Sequence, residues 1–286
     1  MSRPPVSTAA DQLFYTTVYI ETLIPGGISR GTGFLVSYSF GKSVAIVLVT
    51  NKHVLDAATQ IVFRMPAMVD NAPANEATDW TIVNFGPEQW VPHPDPKVDV
   101  AVLPFTGVLE AWQKTGRPAF FRTFGPDQLL TKEQAGELDS IEGVTFVGYP
   151  NGIFDTHSMT PVARRGQTAT PIFNDYNSGP SFLIDASVFP GSSGSPVVIY
   201  DSGSYVNRSG TTVLGHRLLL AGVVASVYAR QNRGEIVLTA TPYVEMKEFI
   251  DLGIVYKTSA IQECVDILFE KHSEQMPSAP EPEDLA

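Results

Sequence analysis

Short runs of β-branched and aromatic residues, separated by Gly, Pro, Asn and Asp, recur along most of the chain and constrain its fold more than any other feature. Such runs are typical of strands, and the residues between them are typical of tight turns. The runs fall into two groups of about six. They are residues 16–24, 32–40, 44–50, 60–68, 80–85 and 99–105, then residues 143–149, 160–170, 181–188, 195–200, 218–228 and 235–241.

The segment between the two groups has few strand-forming residues. Residues 107–140 contain two stretches with helical character, 108–114 and 126–138, and therefore predict an inter-domain connection. Two sets of six strands predict an all-β protein of two six-stranded antiparallel barrels, which meet at a cleft. We expect the N-terminal barrel over residues 1–106 and the C-terminal barrel over residues 141–242.

The C-terminal region has a different pattern. Residues 243–252 have a helical pattern, and Ile261, Cys264, Val265 and Leu268 follow the spacing of one helix face, so we predict C-terminal helices over residues 243–273. This apolar face either packs against the second barrel or docks an activating protein partner. Residues 274–286 are rich in proline and acidic residues and predict a disordered tail.

Charge and cysteine content exclude several functions. The 19 basic and 30 acidic residues give a formal net charge of -11, which disfavours nucleic acid and anionic membrane surfaces as partners. The single cysteine, Cys264, cannot form an internal disulfide, and no apolar secretory stretch opens the sequence, so we expect a cytoplasmic location. Cys264 reads as a small buried residue.

No cofactor or metal is expected from the sequence. The histidines other than His53 lie in proline, glycine or polar contexts and lack the spacing of metal ligands. These are His93, His157, His216 and His272.

Residues 191–196, with the sequence GSSGSP, carry the strongest chemical signal. Glycines on both sides of the serines allow a tight turn that presents the N–H groups of Gly191 and Ser193 toward one point, as an oxyanion hole requires. Serine and glycine are also ordinary loop residues, as residues 202–204 of the same chain illustrate.

His53 and Asp99 supply the remaining groups of a serine nucleophile site. His53 follows the strand-like run 44–50, and Asp99 opens the apolar run 99–105. Taken alone, His53 is typical of a structural histidine, and Asp99 is typical of an aspartate that caps a strand. Together with Ser193 they provide a base, an orienting carboxylate and a nucleophile in the order His, Asp, Ser. The α/β-hydrolases have another order and a G-x-S-x-G motif, which Ser195 breaks.

Five ordered motifs resemble the trypsin/chymotrypsin superfamily of serine proteases, and specifically its HtrA-like branch, over about residues 16–251. They are GTGFL at 31–35, TNKHV at 50–54, DVAVL at 99–103, GYPNG at 148–152 and DASVFPGSSGSP at 185–196.

The resemblance implies a serine endopeptidase that forms an acyl-enzyme. Ser193 would be the nucleophile, His53 the general base and acid, Asp99 its orienting carboxylate, and the amides of Gly191 and Ser193 the oxyanion hole. Ser192 stands where activated digestive proteases carry an aspartate that pairs with a newly cut N-terminus, so we expect that switch to be absent. Ser195 replaces a glycine and is expected to add a side chain near the cleft. No PDZ-like domain is expected after the second barrel.

The resemblance also indicates which residues line the pocket for the substrate residue before the scissile bond. They are Ser187, Val188, Ala225, Ser226 and Val227. None is charged, which predicts small or medium uncharged side chains, although nearby Asp185 leaves cleavage after Lys or Arg open.

The sequence also offers two candidate regulatory loops and an alternative, non-enzymatic function. Residues 151–158 and 174–180 are glycine- and polar-rich, and either is a candidate loop that a partner or effector orders. The alternative function is a catalytically silent barrel pair that binds peptides or scaffolds a complex.

Overall fold

A computed structural model describes residues 4–40, 43–189, 191–235 and 243–274 of the chain. The strand predicted over 235–241 lies outside the described residues except for residue 235. The tail predicted over 274–286 lies outside them except for residue 274. In the described part of the chain, no helix is long and apolar enough to cross a membrane.

The first group of runs forms a seven-stranded antiparallel sheet in the order β5-β4-β1-β2-β3-β7-β6. Its strands are β1 (Thr17–Ile24), β2 (Gly27–Phe40), β3 (Ser43–Thr50), β4 (Gln60–Val69), β5 (Ala72–Val83), β6 (Val91–Pro92) and β7 (Ala101–Pro104). Each of the six predicted runs matches a strand. The two-residue β6, too short to leave a pattern in the sequence, adds the seventh by pairing with β7.

The second group forms a closed barrel in the order β10-β15-β14-β11-β8-β9. Its strands are β8 (Gly143–Gly148), β9 (Val162–Thr168), β10 (Ser181–Asp185), β11 (Pro196–Asp201), β14 (Arg217–Glu235) and β15 (Tyr243–Lys257). A separate hairpin, β12 (Ser204–Val206) with β13 (Thr212–Leu214), lies between β11 and β14. The all-β class predicted from the sequence is confirmed, with two barrel-like sheets. The second is a closed barrel of six strands, whereas the first, called the first barrel below, has seven strands instead of the predicted six.

The helix predicted over residues 243–252 is wrong, because this segment belongs to β15. β15 pairs with β14 on one side and with β10 on the other, so it closes the barrel. Without it, β10 and β14 would each expose a row of unpaired backbone groups. Barrel closure therefore outweighs the local helical pattern.

A short helix, α1 (Ala9–Leu13), precedes β1, and a single helical turn, α2 (Lys52–Leu55), follows β3. The connection between the barrels contains two helices. α3 (Thr106–Lys114) confirms the helical prediction for 108–114, whereas the stretch 126–138 forms only a 3-10 turn and the short α4 (Lys132–Glu137). Trp112 on α3 is almost completely buried, and its indole N–H donates to Thr78 Oγ1 at 2.8 Å. Leu130 N donates to Leu220 O, so the connection is bonded to the second barrel as well.

Three apolar clusters hold the chain together. One fills the first barrel around Leu35, Leu48 and Phe63, and another fills the second barrel around Phe146 and Phe182. The third joins residues of both sheets. It includes Phe34 and Val102 from the first sheet and Val198 and Leu220 from the second.

The helix that follows β15, α5 (Thr258–Glu274), completes this third cluster. Its predicted apolar face, Ile261, Cys264, Val265 and Leu268, is buried there. The helix contacts strands of both barrels, not of the second alone. A partner that docks on α5 would therefore have to use its polar face. Burial also raises the pKa of the Cys264 thiol to about 12, in keeping with a structural residue.

Candidate active site

His53 lies on a single helical turn directly after the buried end of β3. This turn, α2 (Lys52–Leu55), is anchored by Val54 and Leu55, which are almost fully buried. Gly31 on β2 makes room for Val54, since a Cβ there would come 2.7 Å from a Val54 methyl group. The anchor holds the turn in place while the His53 side chain remains 51% exposed.

Asp99 contacts His53 through both carboxylate oxygens. Nδ1 of His53 lies 2.5 Å from Asp99 Oδ2, and the backbone N–H of His53 donates to Asp99 Oδ1 at 3.2 Å. A carboxylate only accepts hydrogen bonds, so the proton of a neutral His53 is on Nδ1 and the Nε2 lone pair is available. Asn51, completely buried, donates from Nδ2 to the backbone carbonyl oxygen of Asp99 at 2.5 Å and so holds the backbone from which the carboxylate projects.

The loop that carries Ser193 is pinned to the middle of β2. Thr32 N donates to Ser193 O at 2.9 Å, and Gly194 N donates to Val224 O on β14 at 2.8 Å. Gly194 has φ +84°, and a Cβ at this position would overlap the Thr32 carbonyl oxygen. Only glycine allows the loop to approach β2 this closely.

Thr32 also connects the loop to the segment that ends at His53. Thr50, three residues before His53, donates from Oγ1 to Thr32 O at 2.7 Å. The Thr32 hydroxyl donates to Gly191 O at 3.0 Å and accepts from Tyr149 N at 3.1 Å. One completely buried residue thus binds β3, the loop that carries Ser193 and the turn after β8. The motif at residues 31–35 contains Thr32 but predicts no role for it, although a threonine between two glycines in a buried strand is a usable signal.

The Ser193 hydroxyl donates to the Ala225 carbonyl at 3.1 Å and makes no hydrogen bond to His53. Among the described residues, none accepts a hydrogen bond from the N–H groups of Gly191 or Ser193. Rotation about one side-chain bond moves a serine hydroxyl between staggered positions. The site therefore combines an oriented imidazole, a rotatable serine and two unpaired amides.

The neighbouring serines are buried and occupy other positions. Ser192 and Ser195 are both completely buried. The expectation that Ser195 adds a side chain near the cleft is wrong: its Oγ packs against Gly148, whose Cα has no room for a side chain there. Gly148 and Ser195 are therefore matched in size across the interior of the molecule.

The five predicted specificity residues have different environments. The Ser187 side chain is exposed, whereas Val188 is buried in the core of the second barrel and contacts Gly253. Ala225 is buried and touches Ser193 through its carbonyl oxygen. For Ser226 and Val227 the structure describes only the backbone, which pairs with Ile254 and Gly253 on β15.

The two predicted regulatory loops also differ in their contacts. Gly191 packs against residues 149–151, since a Cβ on Gly191 would come 2.7 Å from Asn151 N and 2.8 Å from Tyr149 O. The other loop is bonded through Asp175 to Lys257, at the base of α5, with Nζ–Oδ1 2.6 Å. Of the two loops, the first contacts the loop that carries Ser193.

Arg164 on β9 is a site residue that the sequence did not point to. Its guanidinium donates to Ser187 O at 2.7 Å and to Ser192 Oγ at 2.5 Å, on the N-terminal side of Ser193. One of two adjacent arginines in a strand with alternating polar residues gives no signal of this kind. In the part of the chain that the structure describes, no group of three His, Cys, Asp or Glu side chains is arranged to hold a metal ion.

Comparisons with known proteins concern the family and the fold of the chain. A family model described as "Trypsin-like peptidase domain" matches residues 31–206, more than half of the chain. Protease Anisep from Arthrobacter nicotinovorans has a similar structure, with a TM-score of 0.50 and 16% identity, over 94% of this chain and 98% of that protein. At this identity the likeness concerns the fold alone.

A second similar structure is the serine endoprotease from Yersinia pestis, with a TM-score of 0.47 and 16% identity, over 93% of this chain and 69% of that protein. A comparison with curated protein sequences finds no match.

We predict that Thr32→Val destabilises the fold more than Thr32→Ser does. Valine keeps the shape but leaves Tyr149 N–H and Gly191 O without their partner, at a cost of about 1–3 kcal/mol each. Serine keeps the hydroxyl and serves as the matched control. Denaturant unfolding of the three proteins measures the difference, and equal unfolding free energies for the two variants would contradict the role of this hydroxyl.

Proposed function

The chain belongs to the trypsin-like peptidase domain family, and we propose that it is a serine endopeptidase that cleaves protein substrates through Ser193, His53 and Asp99. The observation that carries this proposal is the double contact between His53 and Asp99. It orients the imidazole and leaves Nε2 free to accept a proton. The loop that holds Ser193 is bonded, through Thr32 and Thr50, to the segment that leads to His53.

In the proposed reaction, Ser193 Oγ leaves the Ala225 carbonyl and attacks the carbonyl carbon of the scissile bond. His53 Nε2 takes the hydroxyl proton as the new C–O bond forms, and the carbonyl oxygen becomes an oxyanion. The unpaired N–H groups of Gly191 and Ser193 are suited to receive that oxyanion.

Collapse of this intermediate breaks the C–N bond and leaves an acyl-enzyme on Ser193. His53 gives its proton to the departing amine, which leaves as the first product. Water then attacks the acyl carbonyl as His53 takes a proton from it. His53 gives this proton to Ser193 Oγ as the C–O bond to Ser193 breaks, and the carboxylic acid leaves as the second product. Throughout, Asp99 stabilises the imidazolium form of His53 and remains ionised.

Regulation follows from the resting position of Ser193. Its bond to Ala225 O keeps the hydroxyl away from His53, so activity requires a rotation that substrate or an effector favours. Residues 151–158 are the better placed of the two candidate loops, because their first residue packs against Gly191. We propose that an activating partner acts on this loop. Such restraint suits a peptidase in the cytoplasm, the location that the single cysteine favours.

The same resting position favours the second candidate function, a catalytically silent protein that binds peptides or scaffolds a complex. In that case the bond from Ser193 Oγ to Ala225 O would persist when a peptide is bound. A chemical probe of serine reactivity separates the two functions.

We expect a fluorophosphonate probe to label the chain at Ser193, because such probes react only with an activated serine. Ser193→Ala should abolish labelling, and the exposed Ser209→Ala serves as the control that keeps it. Labelling is measured by mass spectrometry, for the purified chain and again after addition of cell extract. Labelling only with extract supports an activating partner; an unlabelled wild-type chain under both conditions favours the silent protein.

Specificity is proposed to favour small or medium uncharged side chains before the scissile bond. None of the five proposed pocket residues is charged, and Ala225 contacts Ser193 through its carbonyl oxygen. A peptide library with one randomised position measures the preference. Cleavage confined to sites after Lys or Arg would contradict it and point instead to Asp185, which is exposed at the end of β10.

A further inference from the structure

Arg164 supports the loop that carries Ser193 through two hydrogen bonds from the second barrel. The residue lies on β9, and its two terminal nitrogens donate to acceptors five residues apart in the loop, Ser187 O and Ser192 Oγ. A guanidinium presents its donors in a rigid planar fork, so it fixes both acceptors relative to each other. The stretch before the nucleophile is thereby clamped at both ends.

Ser192 connects the Arg164 hydrogen bond to the two amides of the proposed oxyanion hole. It is completely buried, and its Oγ accepts a second hydrogen bond from Phe189 N at 3.3 Å. Ser192 N in turn donates to Phe189 O at 3.0 Å. These bonds fix both sides of Ser192, whose neighbours are Gly191 and Ser193. The direction of the two unpaired amides therefore depends on the bond between Arg164 and Ser192.

The charge of Arg164 has no carboxylate partner among the residues that the structure describes. Its guanidinium lies 4.5 Å from the Phe146 ring centroid and 6.0 Å from that of Phe189. Burial lowers the pKa of Arg164 to about 10, so the side chain still carries its charge at neutral pH. A desolvated cation without a carboxylate is costly to fold, which suggests a role other than stability.

We infer that Arg164 is a positioning residue that holds Gly191, Ser192 and Ser193 in the arrangement that accepts an oxyanion. The inference rests on the proposed function. Because Arg164 is part of the barrel itself, this support is present as soon as the chain folds and needs no cleavage of the chain. Its positive charge behind Ser192 also favours negative charge at the neighbouring amides.

The test compares Arg164→Met with Arg165→Met. Arg165 is the next residue on the same strand, is exposed and makes no described side-chain bond, so its variant is a matched control. We expect Arg164→Met to lower the rate of fluorophosphonate labelling at Ser193 by about 10- to 100-fold, the effect of a small misplacement of reacting groups. Arg165→Met should stay within about two-fold of the wild type, and Arg164→Lys, which restores one donor, should fall between.

Two further measurements separate positioning from a general structural role. In an Arg164→Met, Ser192→Ala double variant the two losses should not add, because both changes remove the same bond. Amide hydrogen exchange should rise in residues 187–195 of Arg164→Met and remain unchanged in the rest of the second barrel.

Exchange that rises throughout the barrel, or equal labelling rates for Arg164→Met and Arg165→Met, would overturn the inference. A wild-type chain that is never labelled contradicts the proposed function instead. Amide hydrogen exchange does not depend on the reactivity of Ser193. It therefore still shows whether Arg164 orders residues 187–195 when the wild-type chain is not labelled.

Discussion

The hydrogen bonds of Thr32 are the constraint on which the rest of the site depends. Its backbone N–H and carbonyl bind Ser193 O and Thr50 Oγ1, and its hydroxyl binds Gly191 O and Tyr149 N. Because the residue is completely buried, none of these groups can turn to water without a large cost. The position of the Ser193 loop relative to the segment of His53 is therefore fixed by the interior of the first barrel.

Packing around Thr32 keeps the Ser193 loop and the segment of His53 in place. The apolar cluster shared by both sheets and α5 prevents the barrels from moving apart, and Gly148 and Ser195 fit together only with the sizes they have. Arg164 holds the loop from the second barrel as Thr32 holds it from the first. Hydrogen bonds thus hold the residues from Gly191 to Gly194 and the pair of His53 and Asp99 in place. The Ser193 hydroxyl, in contrast, is free to rotate.

The sequence predicted the elements whose signals are local. Alternating strands gave the two barrels, and the order of His53, Asp99 and Ser193, with their flanking motifs, gave the candidate site. β15 was missed because its pairing with β10 and β14 depends on barrel closure, which no local pattern records. Arg164 was missed for a related reason: its acceptors are 23 and 28 residues away. The burial of Ser195 likewise depends on Gly148, a residue of another strand.

In the proposed reaction, Ser193 turns from the Ala225 carbonyl to His53 when a transition-state-like ligand is bound. A crystal structure of the chain with a peptidyl boronic acid tests this rotation. We expect a covalent bond from boron to Ser193 Oγ, and one boronate oxygen about 2.7–3.1 Å from the N–H groups of Gly191 and Ser193. A bound boronate that leaves Ser193 Oγ bonded to Ala225 O, or that bonds another residue, would contradict it.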